Sequence, residues 1–414
     1  MRWYYGWNVI AIAIAFQAIL FGFTISSYTL WVNVWAESFR APLTDFMIGI
    51  TIFIMIQGGL APFAGKAMDK FSIRLLVTIG VIGSAAGIAL ISLVTAPWQI
   101  VALYSTLIAF GTLLAGPLAA QTLAAKWFRG RRGFAIGIST VGTSLGATLM
   151  PPVVTKLFLE YGWRDTHLIL AAAALLLVGP PVWWIIRNGP EEMGIEPDPE
   201  SHISVARAAT AAFPEWTTAT ILREPTFWIM VISLVPMATA LTGVMHNLAP
   251  LAKDSGIDPL RASYLVSAAG GCAALGKIFF GLVTDRVDLR RLYWGANLTL
   301  FVAIWVFALQ PAYPILLVAS VLLGFAGGGF LPLLAAIIST RFGPGSFGRV
   351  MGLVGPFTVL TAFAPSAASH IRDLSGTFET ALIALLAILV PAALVMVMLK
   401  PLAAIVPPKL APGE

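Results

Sequence analysis

The sequence predicts an all-α integral membrane protein, with twelve transmembrane helices in two pseudo-symmetric six-helix bundles. Three observations predict it: apolar runs of spanning length along the whole chain, their division six and six by one polar stretch, and a loop motif that returns at a constant offset. With 58% hydrophobic residues, 11% charged and a mean hydropathy of +0.89, the chain is far more apolar than a soluble domain, where about a quarter of residues carry charge. Lipid is therefore its solvent. Unsatisfied backbone groups are costly in hydrocarbon, so only helices or a closed barrel can span it, and runs of roughly 20 residues without strict alternation select helices.

Spans 1 to 6 fall at 8–35, 44–64, 75–95, 98–124, 134–158 and 167–186, and spans 7 to 12 at 226–250, 262–284, 292–310, 314–338, 350–371 and 378–399. The first run is longer than a signal-peptide core and lacks a small-residue cleavage pattern, so it reads as a retained helix. The stretch 187–223, with Pro190, Glu191, Glu192, Pro197, Asp198, Pro199 and Glu200, reads as a cytoplasmic linker. The organisation is thus an N-terminal bundle (1–187), a linker (188–224), a C-terminal bundle (225–400) and a tail (401–414). The single Cys272 excludes an intramolecular disulfide; beside Gly270 and Gly271 it reads as small-residue packing.

Lysine and arginine set the orientation. With the N-terminus inside, about 18 cations fall on the inner side and about 6 outside, the outer ones being Arg40, Lys156, Arg164, Lys253, Arg261 and Arg372. Both termini are then cytoplasmic. The pI near 9.5 reflects these loop signals and requires no nucleic-acid partner.

The halves repeat one another. Gly65, Asp69, Lys70 and Arg74 after span 2 return as Gly281, Asp285, Arg286 and Arg290 after span 8, about 216 positions later. Trp127-Phe128, Gly133 and Gly137 match Arg341-Phe342, Gly348 and Gly352, and Gly162 matches Gly376, at nearly the same offset. Parallel six-helix repeats imply a pseudo-two-fold axis along the membrane normal and a central site between the halves.

With these motifs the chain resembles the major facilitator superfamily, whose G-x-x-x-D-[RK] signature it carries at Gly65 to Lys70 and at Gly281 to Arg286. Tyr5-Gly6-Trp7, the run Trp127 to Gly133, Gly162-Trp163-Arg164, Pro190 to Gly194 and Asp373 to Gly376 resemble its bacterial monocarboxylate and oxalate/formate transporter-like branch. The resemblance implies a secondary transporter of a small organic anion, a monocarboxylate, working by alternating access with a proton or by anion exchange. It also implies a bacterial inner membrane and no cofactor, and the absence of periplasmic domains makes a monomer the expectation.

Lys277 is the first candidate for contact with the anion. It stands about two turns from the inner end of span 8, near 10 Å deep, where a charge is costly unless it meets water or a partner. The alternative is a lysine that snorkels to the interface or pairs with Asp285. The resembling branch places at Lys277 an arginine that pairs with the substrate carboxylate; lysine offers a point charge instead of a bidentate fork. An acid one turn earlier and a lysine in span 1 complete that branch's proton-coupling set, but here the first is Ala273 and the predicted span 1 is uncharged. Oxalate-type relatives carry a second cation in span 11, where this chain reads Pro356-Phe357-Thr358-Val359-Leu360-Thr361. One positive charge favours a monoanion.

His246 is a candidate proton-coupling group in span 7, or else an interfacial histidine with ordinary hydrogen bonds. Gln17, Ser27, Tyr28, Tyr104 and Asn247, with Ser139 and Thr143, are polar candidates for the cavity wall, though such hydroxyls in spans often bond their own backbone. By resemblance, Asp69 with Lys70 and Arg74, and Asp285 with Arg286 and Arg290, form two latches that close the cytoplasmic side. An efflux carrier of neutral or drug-like solutes is the competing reading. An embedded enzyme lacks support, because the chain has no HExxH, GxSxG or P-loop, no metal cluster, and four scattered histidines, His167, His202, His246 and His370.

Overall fold

A computed structural model describes residues 4–128, 132–195, 216–284, 286–343 and 346–399. Asp285, much of the linker (196–215) and the tail lie outside the described residues. Among the described residues there are twelve crossings and no strand. They are α1 (Gly6–Phe39), α2 (Leu43–Lys70), α3 (Ile73–Ile91), α4 (Pro97–Trp127), α5 (134–161), α6 (163–185), α7 (Pro225–Asp254), α8 (Pro259–Val283), α9 (Leu289–Leu309), α10 (Tyr313–Phe342), α11 (Phe347–Ser375) and α12 (Glu379–Met398). Helices α5 and α6 form one hydrogen-bonded run that turns at Gly162, where φ 77° and ψ 163° describe backbone essentially confined to glycine.

Local chemistry sets the helix ends. Pro97, Pro225 and Pro259 occupy first turns, where a missing N–H costs nothing. The Asp258 carboxylate accepts from the Arg261 N–H at 3.0 Å to cap α8, and Asp288 accepts from the Arg290 N–H at 2.9 Å at the start of α9. Several helices outrun the apolar windows that predict them. Helix α1 continues through Glu37, α2 through Asp69 and Lys70, α7 through Asp254 and α11 through Arg372 and Asp373, because a helix ends where its backbone bonds end rather than where its hydropathy falls. The latch motif of the first half is therefore the last turn of α2.

Within the C-terminal half, α8 and α10 touch backbone to backbone. A Cβ at Gly324 would overlap the Ala269 carbonyl, and one at Gly276 the Phe325 carbonyl. In the N-terminal half α1 and α5 approach in the same way at Gly142 and Gly146. The halves meet along three seams: α1 against α7, α2 against α11, and α5 against α8.

Candidate functional site

The bundle has two unlike ends. One, called here the basic end, carries the loops around 66–74, 126–128 and 286–291; the other is the far end. Among the described residues, the hydrogen bonds and ion pairs that join the halves lie toward the far end or on the α5–α8 seam.

At the far end, Asp373 of α11 accepts from the Thr44 N–H at 3.0 Å and the Thr44 hydroxyl at 2.6 Å, capping the start of α2 in the other half. Arg372 beside it is held by Asp254 through bonds of 2.9 and 2.7 Å. Lys253 of α7 meets Glu37 of α1 at 2.6 Å, with both side chains largely exposed. Deeper ties exploit proline. Pro365 lacks the N–H that would bond the Thr361 carbonyl, and that carbonyl accepts instead from the Thr242 hydroxyl at 3.2 Å, beside a short 3-10 turn over Leu360–Ala362. The neighbouring Ala362 carbonyl accepts from Thr51 of α2 at 2.8 Å, and Thr51 also lies 2.6 Å from the Ser366 hydroxyl. Next to Pro250, the Ala249 N–H donates to the Thr29 hydroxyl of α1 at 3.0 Å.

At the basic end the described motif residues make no bond or ion pair to the other half. Asp69, Lys70 and Arg286 are exposed, and Asp69 makes no ion pair among the described residues. Arg74 lies over the Trp183 ring at 5.1 Å. Arg290 pairs with Asp288 at 2.9 Å, and its guanidinium holds the Asp288 carboxyl below its ordinary range.

Between these ends stands Lys277. Its ammonium donates to the Ser144 hydroxyl of α5 at 3.2 Å, across the seam. Ser144 lies ten residues into α5, about 15 Å along it, so the side chain reaches back toward the middle of the membrane, the direction Cα–Cβ bonds take along a helix. Closer to the far end the seam is tight, since a Cβ at Gly270 would overlap the Ala147 backbone. Toward the basic end a Cβ at Gly281 would meet nothing within 4 Å. Among the described residues no carboxylate lies within ion-pair distance of Lys277.

His246 is half-buried and makes no hydrogen bond among the described residues. It shares a helix face with Thr242, which bonds α11, and Ala249, which bonds α1, and so stands near the line where the halves meet. The other candidates are occupied by the fold. The Gln17 amide donates to the Ala13 carbonyl at 2.9 Å and the Ser139 carbonyl at 2.6 Å. Ser27 bonds the Gly22 carbonyl at 2.7 Å around the π-helical turn Gly22–Ser26. Tyr28 donates to the Phe46 carbonyl and packs edge-on against Tyr104, which reaches the Thr24 carbonyl at 3.3 Å. Asn247 ties α7 to the Pro365 carbonyl at 3.0 Å and accepts from Ser369 at 2.6 Å. Ser139 and Thr143 bond carbonyls one turn back, at 2.8 and 2.9 Å. Sequence reasoning missed Ser144 and the far-end group of Glu37, Thr44, Lys253, Asp254 and Arg372. Its one available signal was the Asp373 to Gly376 motif, to which no role was attached.

The sequence profile of the Major Facilitator Superfamily matches residues 12–251 and 237–414. The chain belongs to that superfamily. Among curated superfamily relatives, the MFS transporter asaE of Aspergillus flavus is 25% identical over 293 residues, covering 70% of this chain and 62% of that protein. Monocarboxylate transporter 13 of Bos taurus is 24% identical over 384 residues, covering 92% of this chain and 85% of the relative. A bacterial homologue of the human lysosomal transporter Spinster, solved in an inward-facing and occupied conformation, superposes with a TM-score of 0.72 at 14% identity, over 96% of this chain and 97% of that one. That last likeness is one of fold. The protein is thus a multi-pass membrane transporter of this superfamily, and its relatives and fold are those of transporters rather than enzymes.

Proposed function

We propose that the protein is a secondary active transporter of a small organic anion, a monocarboxylate, that works by alternating access and meets the anion at Lys277. The observation that carries the reading is the Lys277 ammonium at the α5–α8 seam, bonded to a neutral hydroxyl and to no carboxylate among the described residues. A charge at this depth is stable only with water or an opposite charge, and a monoanion supplies one unit. The matches to monocarboxylate transporters support the substrate class.

The lysine and arginine bias supports a basic end and termini on the cytoplasmic side, and the membrane is read as the cytoplasmic one. On this reading Asp373, Thr51 and Thr29 hold the outer side shut, and the basic end is the side that opens to the cytoplasm. Asp69, Lys70 and Arg74, with Asp285, Arg286 and Arg290, engage when the inner side closes. Gln17, Ser27, Tyr28, Tyr104 and Asn247 act through the helix positions they fix, and His246 stands where a proton could be exchanged with the cavity.

The test is uptake of labelled lactate, pyruvate, formate, glycolate and oxalate into proteoliposomes, with and without an inward proton gradient, beside Lys277→Gln. Saturable uptake of a monoanion, exceeding that of oxalate and lost in the variant, is the expected result. Movement of neutral solutes alone, or full uptake by Lys277→Gln, would overturn the reading.

A further inference from the structure

Lys277 has an unusual setting for a charge inside a membrane protein. The helices packed against α8 are α10, α5, α7 and, through its far-end portion 28–39, α1, whose ionisable groups there are Tyr28, bonded to the Phe46 carbonyl, and Glu37, paired with Lys253. The ionisable groups of α5 are Lys156, Glu160 and Tyr161, near its far end. Those of α7 are Lys253 and Asp254 at the far end and His246 on the face toward α1 and α11, and those of α10 are Tyr313 at the far end and Arg341 at the basic end. On α8 itself the other ionisable groups are Arg261 and Tyr264, toward the far end, and the thiol of Cys272. Asp285, eight residues on in the sequence, lies outside the described residues. On the side facing α10 the contact is backbone to backbone, because a Cβ at Gly328 would overlap the Ala273 carbonyl.

A carrier that performs net transport must reorient twice per cycle, once loaded and once empty. Loaded, the ammonium and a monoanion cross as a neutral pair. Empty, the ammonium would have to be occluded alone, at a cost of several kcal/mol. The chain can avoid that cost by never returning empty, which makes it an obligatory exchanger, or by letting the side chain lose its charge. An ammonium can do the latter, whereas a guanidinium keeps its proton. Ser144 suits both forms, since a hydroxyl accepts from an ammonium and donates to an amine, while a carboxylate would satisfy the ammonium alone.

We infer that Lys277 carries the co-transported proton: its ammonium crosses with the anion, and its amine returns empty against Ser144. This rests on the reading that Lys277 meets the anion. At the inner side the step is R–NH3+ giving R–NH2 and a proton to water, after the anion has left. At the outer side the amine takes a proton from water before the next anion binds. One proton therefore accompanies each monoanion and the loaded step is electroneutral. Substituting arginine would keep the anion partner and remove the empty return.

The experiment uses the full chain in proteoliposomes and the fastest of lactate, pyruvate, formate and glycolate. Net uptake into empty vesicles under an inward proton gradient is compared with exchange against the same anion preloaded at equal pH. The wild type is expected to perform both, with a trapped pH dye reporting one proton per anion and no response to a potassium-valinomycin potential. Lys277→Arg should retain exchange and lose net uptake by a factor of about a hundred or more, as an occlusion cost of this order implies. Proton-driven uptake persisting in Lys277→Arg would overturn the inference and place the proton elsewhere. If Lys277→Gln keeps both activities, the anion reading itself fails, a distinct result that removes the inference with it. Should arginine silence both assays, His246→Gln and Asp285→Asn decide. One proton per anion in both supports Lys277, and loss of coupling in either overturns it.

Discussion

At the far end, a carboxylate of one half caps a helix of the other: Asp373 takes the Thr44 N–H and hydroxyl at the start of α2. At the basic end, Asp69 makes no ion pair among the described residues, and Arg290 turns back to Asp288 in its own half. Both ends use acids and bases at helix termini, but among the described residues only the far end uses them between halves. The difference teaches how a membrane carrier can be shut without being locked. Caps and hydroxyl–carbonyl bonds are each worth about 1 kcal/mol, and the exposed Glu37–Lys253 pair is worth less. A few such ties bias an equilibrium, and their loss on one side can be offset by ties formed on the other.

Breaking the far end should unbalance the comparison in steps. The largest effect is expected from Gly270→Leu, because a side chain there must displace the Ala147 backbone on the α5–α8 seam. Transport should fall by about a hundredfold or more, as overpacking of a few kcal/mol implies, with the far end held open in spin-label distance measurements. Asp373→Ala should follow. Loss of a charged cap ought to raise the far-end-open population by about tenfold, seen as faster labelling of a single cysteine at Ala41 by an impermeant thiol reagent in a Cys272→Ser background. Thr51→Val removes the bonds to Ala362 and Ser366 and should shift the same labelling rate by about fivefold.

The basic end can be sharpened in the opposite sense. Asp288→Asn releases Arg290, which should favour closure of this end and slow labelling there. Because Arg290 depresses the Asp288 titration, its contribution is complete above the ordinary carboxylate range and fades as pH falls through the depressed value. Acidification of the wild type into that range should therefore mimic the variant. Glu37→Gln should have the smallest effect, under about twofold and vanishing at high salt.

The fold was legible because lipid leaves so few options. Every span was visible as an apolar run, and Gly162 already punctuated the chain where α5 gives way to α6. The ends were read short because Glu37, Asp69, Asp254 and Arg372 look like loop residues in a hydropathy window, yet their backbones continue the helix. Lys277 stood out as a lone charge in an apolar run. Its partner did not, since a serine in a spanning helix ordinarily bonds its own backbone, and only the approach of α8 at Gly270 brings Ser144 within reach. Asp373 and Thr44 are 329 positions apart, so no local pattern could join them. Tyr28 and Asn247 show the converse case, polar side chains whose donors the fold itself consumes.

Alternation between the two ends is tested most directly by distances measured at both in one preparation. Spin labels at Lys70 and Arg286 would report the basic end, and labels at Arg40 and Arg261 the far end, in nanodiscs with and without the transported anion. The account predicts reciprocal change: conditions that shorten the distance at the basic end lengthen it at the far end, and Asp373→Ala moves the balance toward the far-end-open state. Distances that widen or narrow together at both ends, or that ignore both anion and variant, would contradict it.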